Sequence, residues 1–403
     1  VRTLLLFDGL GGTNDNLLRA LRGLYSGPEN AAFFQVVFDT IDEVVTHLDR
    51  SAVTEPSADG FAVRQWLDPG TATPDGVLGN SVAAGLCVYV YQTCHLQPAR
   101  YGGDDVVASL GHSIGLLAAI VAGLRLRRMD EFLDIVASGL RLVAVSLARA
   151  QQVSGVPDID PDLLGRYNAR VRRGAGPGPM AALSGLPRDR LRDLVADFNA
   201  AGPALSVGLA NSPSAHVLSG PTADLLGFYL RHETTFDRPG VTWTFLTNTV
   251  PFHSPHLAPA AHQVDDDRPF IGWLPGGDQL RLPVYATDRP RNLQESPDLV
   301  DEFLQQVLLR PIEWGLVTRH AVTDAAIGRI VDCGPGAAAR RFTKECLSDG
   351  DRQVRFESVH QFFAPRALGG QHAMSALSGA GRTAQGNGSG AVQRVSGQHR
   401  PGG

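Results

Sequence analysis

Five residues, Gly111-His112-Ser113-Ile114-Gly115, stand between the apolar run Val106-Val107-Ala108-Ser109-Leu110 and a second run, Leu116 to Leu124. The order is strand, sharp turn, helix, the context in which Gly-x-Ser-x-Gly forms a nucleophile elbow. The flanking glycines let the backbone turn without Cβ clashes, which exposes the hydroxyl at a helix N-terminus where backbone N–H groups can stabilise an oxyanion. Ser113 is therefore the expected covalent acyl carrier. A serine becomes nucleophilic only when a base takes its proton and a third group holds that base in the right tautomer. Among 12 histidines, the most suggestive lie in Thr249-Val250-Pro251-Phe252-His253-Ser254-Pro255-His256-Leu257, and His253 is the expected base. His112 is expected to point away from the turn and to serve a structural or substrate-edge role.

The composition sets bounds on what such a site can belong to. The chain has 403 residues, 43% hydrophobic and 19% charged, enough for one large domain with an inserted smaller one, or for two domains. A net charge of -5 gives no basic footprint for nucleic acid, so an acidic partner must dock on a local patch. Cys87, Cys94, Cys333 and Cys346 show neither a C-x-x-C site nor a disulfide framework; reduced thiols, a cytoplasmic setting and no metal site are expected. The opening run Val1 to Phe7 is too short for a membrane span and reads as a buried first strand.

An α/β order is expected along the chain. Leu4 to Phe7 is a strand, the glycine loop Asp8 to Gly12 follows, and Asn16 to Tyr25 has helical spacing. The loop lacks the Gly-Lys-Ser/Thr ending of a phosphate-binding loop. Residues 52 to 76 read as a surface excursion, Val82 to Leu96 and Phe132 to Ala150 as helices, and residues 151 to 179 as a connection. From Ala181 to Leu246 the pattern is that of an inserted α+β unit: strands at 181–183, 205–210, 216–219 and 242–246, helices at 188–199 and 224–231. Core-like strands return at 283–285 and 329–331, separated by a helix at 299–309. The expected domains are 1–176 with 247–365 as core, 177–246 as insert, and 366–403 as a disordered tail or linker.

Taken in order, Gly111 to Gly115, Asn211-Ser212-Pro213, Ser219-Gly220-Pro221, Pro251-Phe252-His253-Ser254, Pro283-Val284-Tyr285, Arg310-Pro311-Ile312-Glu313-Trp314 and Asp332-Cys333-Gly334-Pro335-Gly336 resemble the acyl-CoA:acyl carrier protein acyltransferase family (malonyl/acetyl transacylases). Within it the likeness is greatest to the acetyl- or starter-loading acyltransferase of type I fatty acid synthases. The resemblance implies a hydrolase-like α/β core with a parallel sheet and an inserted ferredoxin-like subdomain. It implies no bound cofactor, acyl-CoA as substrate and the phosphopantetheine thiol of an acyl carrier protein as acceptor, in fatty acid or polyketide biosynthesis. Carried over, Ser113 is the nucleophile, His253 the base, the main-chain carbonyl of Val307 the group that orients it, and the N–H groups of Leu10 and Ile114 the oxyanion hole. His112, Leu116, Ser138, Asn211 and Phe252 fall in the substrate pocket.

Malonyl-selective members carry an arginine about 25 residues after the serine, and Ser138 stands at that count here. Because a buried carboxylate without a guanidinium partner is costly, and because Leu116 replaces a polar residue of relatives, the resemblance implies an acetyl or other monocarboxylic starter. A malonyl transferase using Arg141 is the alternative. Two further readings remain: an α/β-hydrolase with the order Ser113, Asp332, His360, and a non-catalytic docking module. Arg125, Arg127 and Arg128 are a candidate patch for an acidic carrier protein, although the solvated end of a helix is the better reading of them.

Overall fold

The computed structural model describes residues 1–12, 16–50, 61–68, 70–71, 76–98, 105–171, 176–202, 204–348 and 353–362. Among them ten strands form: β1 (Thr3–Phe7), β2 (Val106–Gly111), β3 (Met180–Ser184), β4 (Ser206–Ala210), β5 (Ala215–Ser219), β6 (Thr242–Phe245), β7 (Val284–Tyr285), β8 (Ile312–Glu313), β9 (Arg329–Asp332) and β10 (Arg355–Ser358). An apolar run without polar alternation is stable as a strand only where both faces are covered. β1 is such a run, buried at every residue, and it is the middle strand of a parallel sheet ordered β10-β9-β1-β2-β7. Register places Phe7 opposite Gly111 and Leu6 opposite Asp332. The loops that follow β1, β2 and β9 therefore leave the sheet side by side at its carboxyl edge, where open α/β sheets hold their ligands.

The helices around this sheet include α1 (Asn16–Tyr25), α2 (Ala31–Arg50), α3 (Ser81–Cys94), α4 (Gly115–Leu124) and α5 (Met129–Ser154). All ten residues of α4 are buried, as a helix without a polar face requires. α3 is likewise buried throughout, and its start is capped by Asn80, whose side chain accepts from the N–H groups of Val82 and Ala83. α5 packs along α2 and α3.

Between β3 and β6 run α6 (Arg188–Phe198) and α7 (Thr222–Arg231), and α8 (Ala258–Asp266) follows β6. The chain order β3-α6-β4-β5-α7-β6 and the sheet order β6-β3-β5-β4, all antiparallel, are those of a ferredoxin-like unit. It has its own apolar cluster, including Leu191, Leu218, Leu225, Phe228 and Phe245. One strand crosses the expected boundary: β8 extends this sheet in parallel to β4, with Leu209 opposite Ile312.

Several expectations need correction. The excursion at 52–76 contains a short helix, Val63–Leu67, whose Val63, Trp66 and Leu67 are buried, because aromatic and aliphatic side chains there complete the core; residues 51–60, 69 and 72–75 lie outside the described residues. The helix expected at 299–309 is α-helical only as α9 (Leu299–Leu304) and continues as a π-helix over Gln305–Leu309. The last labelled helix is α10 (Ala338–Leu347). The tail expected at 366–403 lies outside the described residues. All four cysteines are free and buried, and no described helix is long and apolar enough to cross a membrane.

Close packing at the carboxyl edge forces glycine at two positions. A Cβ on Gly111 would stand 2.2 Å from the carbonyl oxygen of Gly115, and one on Gly115 would stand 2.5 Å from that of Asp8. Gly23, in α1, has nothing within 4 Å of its Cβ position. Gly115→Ala is expected to lower stability by at least ~1–3 kcal/mol through overpacking, whereas Gly23→Ala raises it by ~0.5–1 kcal/mol through helix propensity. Urea midpoints of the two variants check both signs.

Candidate active site

Ser113 sits in the turn between β2 and α4 with φ 53°, a left-handed conformation that costs a non-glycine residue ~1–3 kcal/mol and persists only where the surroundings impose it. They do so here. The N–H of His112 donates to Phe7 at 2.9 Å, that of Gly115 to His112 at 3.0 Å and that of Leu116 to Ser113 at 2.9 Å. The hydroxyl lies 2.8 Å from Nε2 of His253. His253 is also left-handed, with φ 58°, and is 1% exposed. The next residue pins it, since the N–H of Ser254 donates to the carbonyl of Leu308 at 2.9 Å.

Nδ1 of His253 lies 3.0 Å from the carbonyl oxygen of Arg310. A carbonyl can only accept, so Nδ1 carries the proton and Nε2 presents a lone pair to Ser113. The orienting carbonyl is thus that of Arg310, not the expected Val307. Val307 lies inside the π-helix, whereas Arg310 precedes Pro311 and is extended at φ -86°, ψ 145°, as a residue before proline tends to be. Its carbonyl is thereby freed from the helix. Pro311 was the signal in the sequence that pointed to this position. Burial lowers the pKa of His253 to about 4, helped by His112 and opposed by the carbonyl bond of Arg310. The imidazole is neutral above that pH and can act as a base.

A cleft of about 510 Å³ opens over this pair. Leu10, His112, Asn211 and Phe252 line it together with Ser113 and His253. Oδ1 of Asn211 accepts from Nε2 of His112 at 2.8 Å, and the His112 ring meets Trp314 edge-on at 4.7 Å. Burial lowers the pKa of His112 to about 4 as well, against the pull of Asn211. Ile114 caps α4, so its N–H belongs to the first turn, where helical donors lack intrahelical acceptors. The outer wall is one face of the second sheet: Met180, Ala182 and Ser184 of β3, Ala215 and Val217 of β5, and Thr242 and Thr244 of β6. This is the period-two alternation of strands whose other face packs on α6 and α7.

Two expected pocket residues lie elsewhere. Leu116 is wholly buried within α4 and does not line the cleft. Ser138 lines a different cavity, of about 970 Å³, with Arg125, Arg127, Arg128 and Trp273. Counting 25 residues along the chain cannot locate a pocket residue when the connection from α4 to α5 sets the helical register. That cavity lies at the C-terminal end of α4, about 15 Å of helix away from Ser113, so the arginine patch is not at the cleft. Arg141, offered as a substitute cation, instead pairs with Glu43 at 2.8 Å. The hydrolase alternative fails too: Nε2 of His360 bonds the hydroxyl of Tyr91 at 3.1 Å, and Asp332 accepts from the N–H of Gly334, so neither approaches Ser113 as a triad member.

No family model matches the chain. Among known proteins it is similar to a fatty acid synthase subunit beta of Gibberella zeae, 25% identical over 358 residues, which cover 83% of this chain and 17% of that protein. The corresponding subunit of Schizosaccharomyces pombe is 26% identical over 265 residues, 61% of this chain and 12% of the relative. The chain thus spans less than a fifth of the length of these relatives. Among solved structures, a malonyl-CoA:acyl carrier protein transacylase of Xanthomonas oryzae superposes with a TM-score of 0.62 at 19% identity, covering 89% of this chain and 94% of the other. That of Coxiella burnetii gives 0.61 at 18% identity, covering 90% and 95%. The fold is that of these transacylases.

If His253 is the base, His253→Ala should slow acylation of Ser113 by about 10²–10⁴-fold, the span of general-base contributions. Because the orienting group is main chain, Arg310→Ala should change the rate by no more than about twofold, even though it removes the guanidinium that pairs with Asp288 at 3.1 Å. Single-turnover labelling of the two variants separates these outcomes.

Proposed function

We propose that this chain, a relative of the acyl-CoA:acyl carrier protein acyltransferases in sequence and fold, moves an acyl group from coenzyme A to the phosphopantetheine thiol of an acyl carrier protein through an acyl-Ser113 intermediate. The observation that carries the reading is the 2.8 Å contact between the Ser113 hydroxyl and the neutral, carbonyl-oriented His253 at the floor of the cleft. His253 takes the proton as Ser113 attacks the thioester carbon. The oxyanion is held by the N–H groups of Ile114 and Leu10. Collapse breaks the C–S bond, and the proton on Nε2 goes to the departing coenzyme A thiolate. The second half runs in reverse: His253 takes the proton of the carrier thiol, which attacks the acyl ester and returns Ser113 to its hydroxyl form.

Both thioester partners end in the same pantetheine arm, with amides and hydroxyl groups along it. Ser184, Thr242, Thr244 and Asn248 on the cleft wall supply hydrogen-bonding groups suited to that arm, and the apolar side chains of Leu209, Val217, Leu246 and Phe252 suit its methyl and methylene groups and the acyl chain.

The acyl group we favour is a monocarboxylic starter such as acetyl or propionyl. Among the described residues that line the cleft the only permanent cation is Arg341, whose side chain is 66% exposed and 3.8 Å from Glu345. A malonyl carboxylate deep in the cleft would lack a buried guanidinium, which is the usual bidentate partner of such a group. Malonyl is the second reading, favoured by the presence of Arg341 on the wall at all.

Intact-protein mass measurement after mixing with acetyl-, propionyl-, hexanoyl-, malonyl- and methylmalonyl-CoA tests both levels. Monocarboxylic adducts that disappear in Ser113→Ala are expected. A malonyl adduct in excess, lost in Arg341→Ala, would establish the second reading, and no adduct with any donor would overturn acyl transfer.

A further inference from the structure

Asp8 follows β1 with its side chain 1% exposed, and no described cation forms a salt bridge with it. Its carboxylate is shared between two elements. Oδ1 accepts from the N–H of Gly9 at 3.0 Å and of Ala339 at 3.1 Å, and Oδ2 from that of Ala338 at 3.2 Å. Gly9 and Leu10 form the loop beside Ser113, while Ala338, Arg341, Phe342 and Glu345 of α10 line the cleft. One side chain thus ties the loop to the wall. The main-chain carbonyl of Asp8 is held in turn by Nε2 of Gln92 on α3 at 2.7 Å. The loop also presses on the nucleophile, for a Cβ on Gly9 would stand 2.8 Å from the carbonyl oxygen of His112 and 3.2 Å from Cβ of Ser113.

We propose that Asp8 is a positioning residue: its ionised carboxylate holds the Gly9–Leu10 loop where the oxyanion needs its donor, and protonation loosens that loop and slows acylation of Ser113. The inference rests on the acyl-transfer reading. A protonated carboxyl carries an O–H and keeps less acceptor capacity for three N–H groups, and its bonds lose the strength that charge confers.

The titratable groups around Asp8 favour a proton near neutrality. Burial and the neighbouring Asp332 raise its pKa to about 7, with the N–H groups of Ala339, Gly9 and Ala338 pulling the other way. Asp332 is itself raised by burial to about 6, opposed by the N–H of Gly334 and by Arg340 on α10. The Cys333 thiol is pushed well up by burial and Asp332. Tyr91 on α3 is raised to about 12 by burial. His112 is neutral above about pH 4. Asp8 and Asp332 are thus both raised into the range between pH 5 and 8, while His95, just past α3, and His360 stand against Tyr91.

The test is single-turnover acylation by acetyl-CoA across that range, read by intact mass, in the wild type, Asp8→Asn and Asp332→Asn. The wild-type rate is expected to fall about tenfold through pH 7 to a plateau, less than the full loss of an oxyanion donor, with the fall owed to His253 separate and near pH 4. Asp8→Asn should sit at the low plateau throughout, with half-saturation by acetyl-CoA unchanged to within about twofold. Asp332→Asn should keep the step and move it to lower pH, because it removes the repelling carboxylate. A flat wild-type profile, or a step that survives in Asp8→Asn, overturns the proposal; absence of any adduct in the wild type overturns the acyl-transfer reading instead. Stability gives a second readout. A carboxyl raised from 3.8 to about 7 binds a proton more tightly in the folded state, so the wild-type urea midpoint should rise relative to Asp8→Asn as pH falls from about 7 towards 4. A constant difference would count against Asp8 titrating in that window, and if Asp8→Asn does not fold, the shift in Asp332→Asn decides.

Discussion

Everything at the site depends on how closely three chain segments approach at the carboxyl edge of the parallel sheet. Positions 9, 111 and 115 leave no room for a Cβ, so the loop after β1, the end of β2 and the first turn of α4 lie in backbone contact. Ser113 is thereby forced to φ 53°, a conformation it would not keep in isolation. Parallel pairing of β1 with β2 and β9, level at their ends, supplies the rigidity that imposes it.

The same packing determines the electrostatics. His112 and His253 lie close together with almost no solvent, so neither gains by holding a proton at neutral pH. His253 is held by a carbonyl dipole rather than by a carboxylate. A carbonyl fixes the tautomer and orientation yet leaves the imidazole pKa low, whereas an ionised carboxylate in the same place would raise it. The buried carboxyls near the site are Asp8 and Asp332, and each meets backbone N–H groups. Acid and base are thus separated by the strand ends that carry them.

Local patterns were legible in the sequence, and contacts set by distant segments were less so. The elbow was readable because strand, glycine turn and helix are consecutive. The ferredoxin-like order was readable for the same reason, since its strands and helices alternate over about 65 residues with clear turns between them. His253 stood out through Pro251 to Ser254, but its pairing with Ser113, 140 residues earlier, needed the resemblance. Ser138 and Leu116 were misplaced because a residue count along a helix says nothing of which side faces the cleft when the preceding connection varies. Val307 was misplaced because it was carried over from the resemblance, whereas the carbonyl that reaches His253 is that of the extended residue before Pro311. Asp8 carried no signal beyond being the last residue before a glycine, and its three N–H partners come from a loop and a helix more than 300 residues apart in sequence.

The two sheets divide the work in a way that bears on selectivity. The parallel sheet contributes Ser113 and the Asp8 loop, which under the proposed acyl transfer would meet the thioester carbonyl common to every acyl-CoA. The antiparallel sheet contributes the wall of small and hydroxyl side chains from β3, β5 and β6, whose outward face is free to vary because its inward face alone carries the apolar cluster of that unit. A substitution such as Ala182 or Thr244 to a larger residue alters the volume offered to the acyl chain while leaving the Ser113–His253 geometry, built on other segments, in place. On the proposed function, the choice of acyl group would rest with elements that carry neither Ser113 nor His253. That separation is why the Ser113–His253 pair, read from sequence, leaves the lining of the cleft wall unspecified.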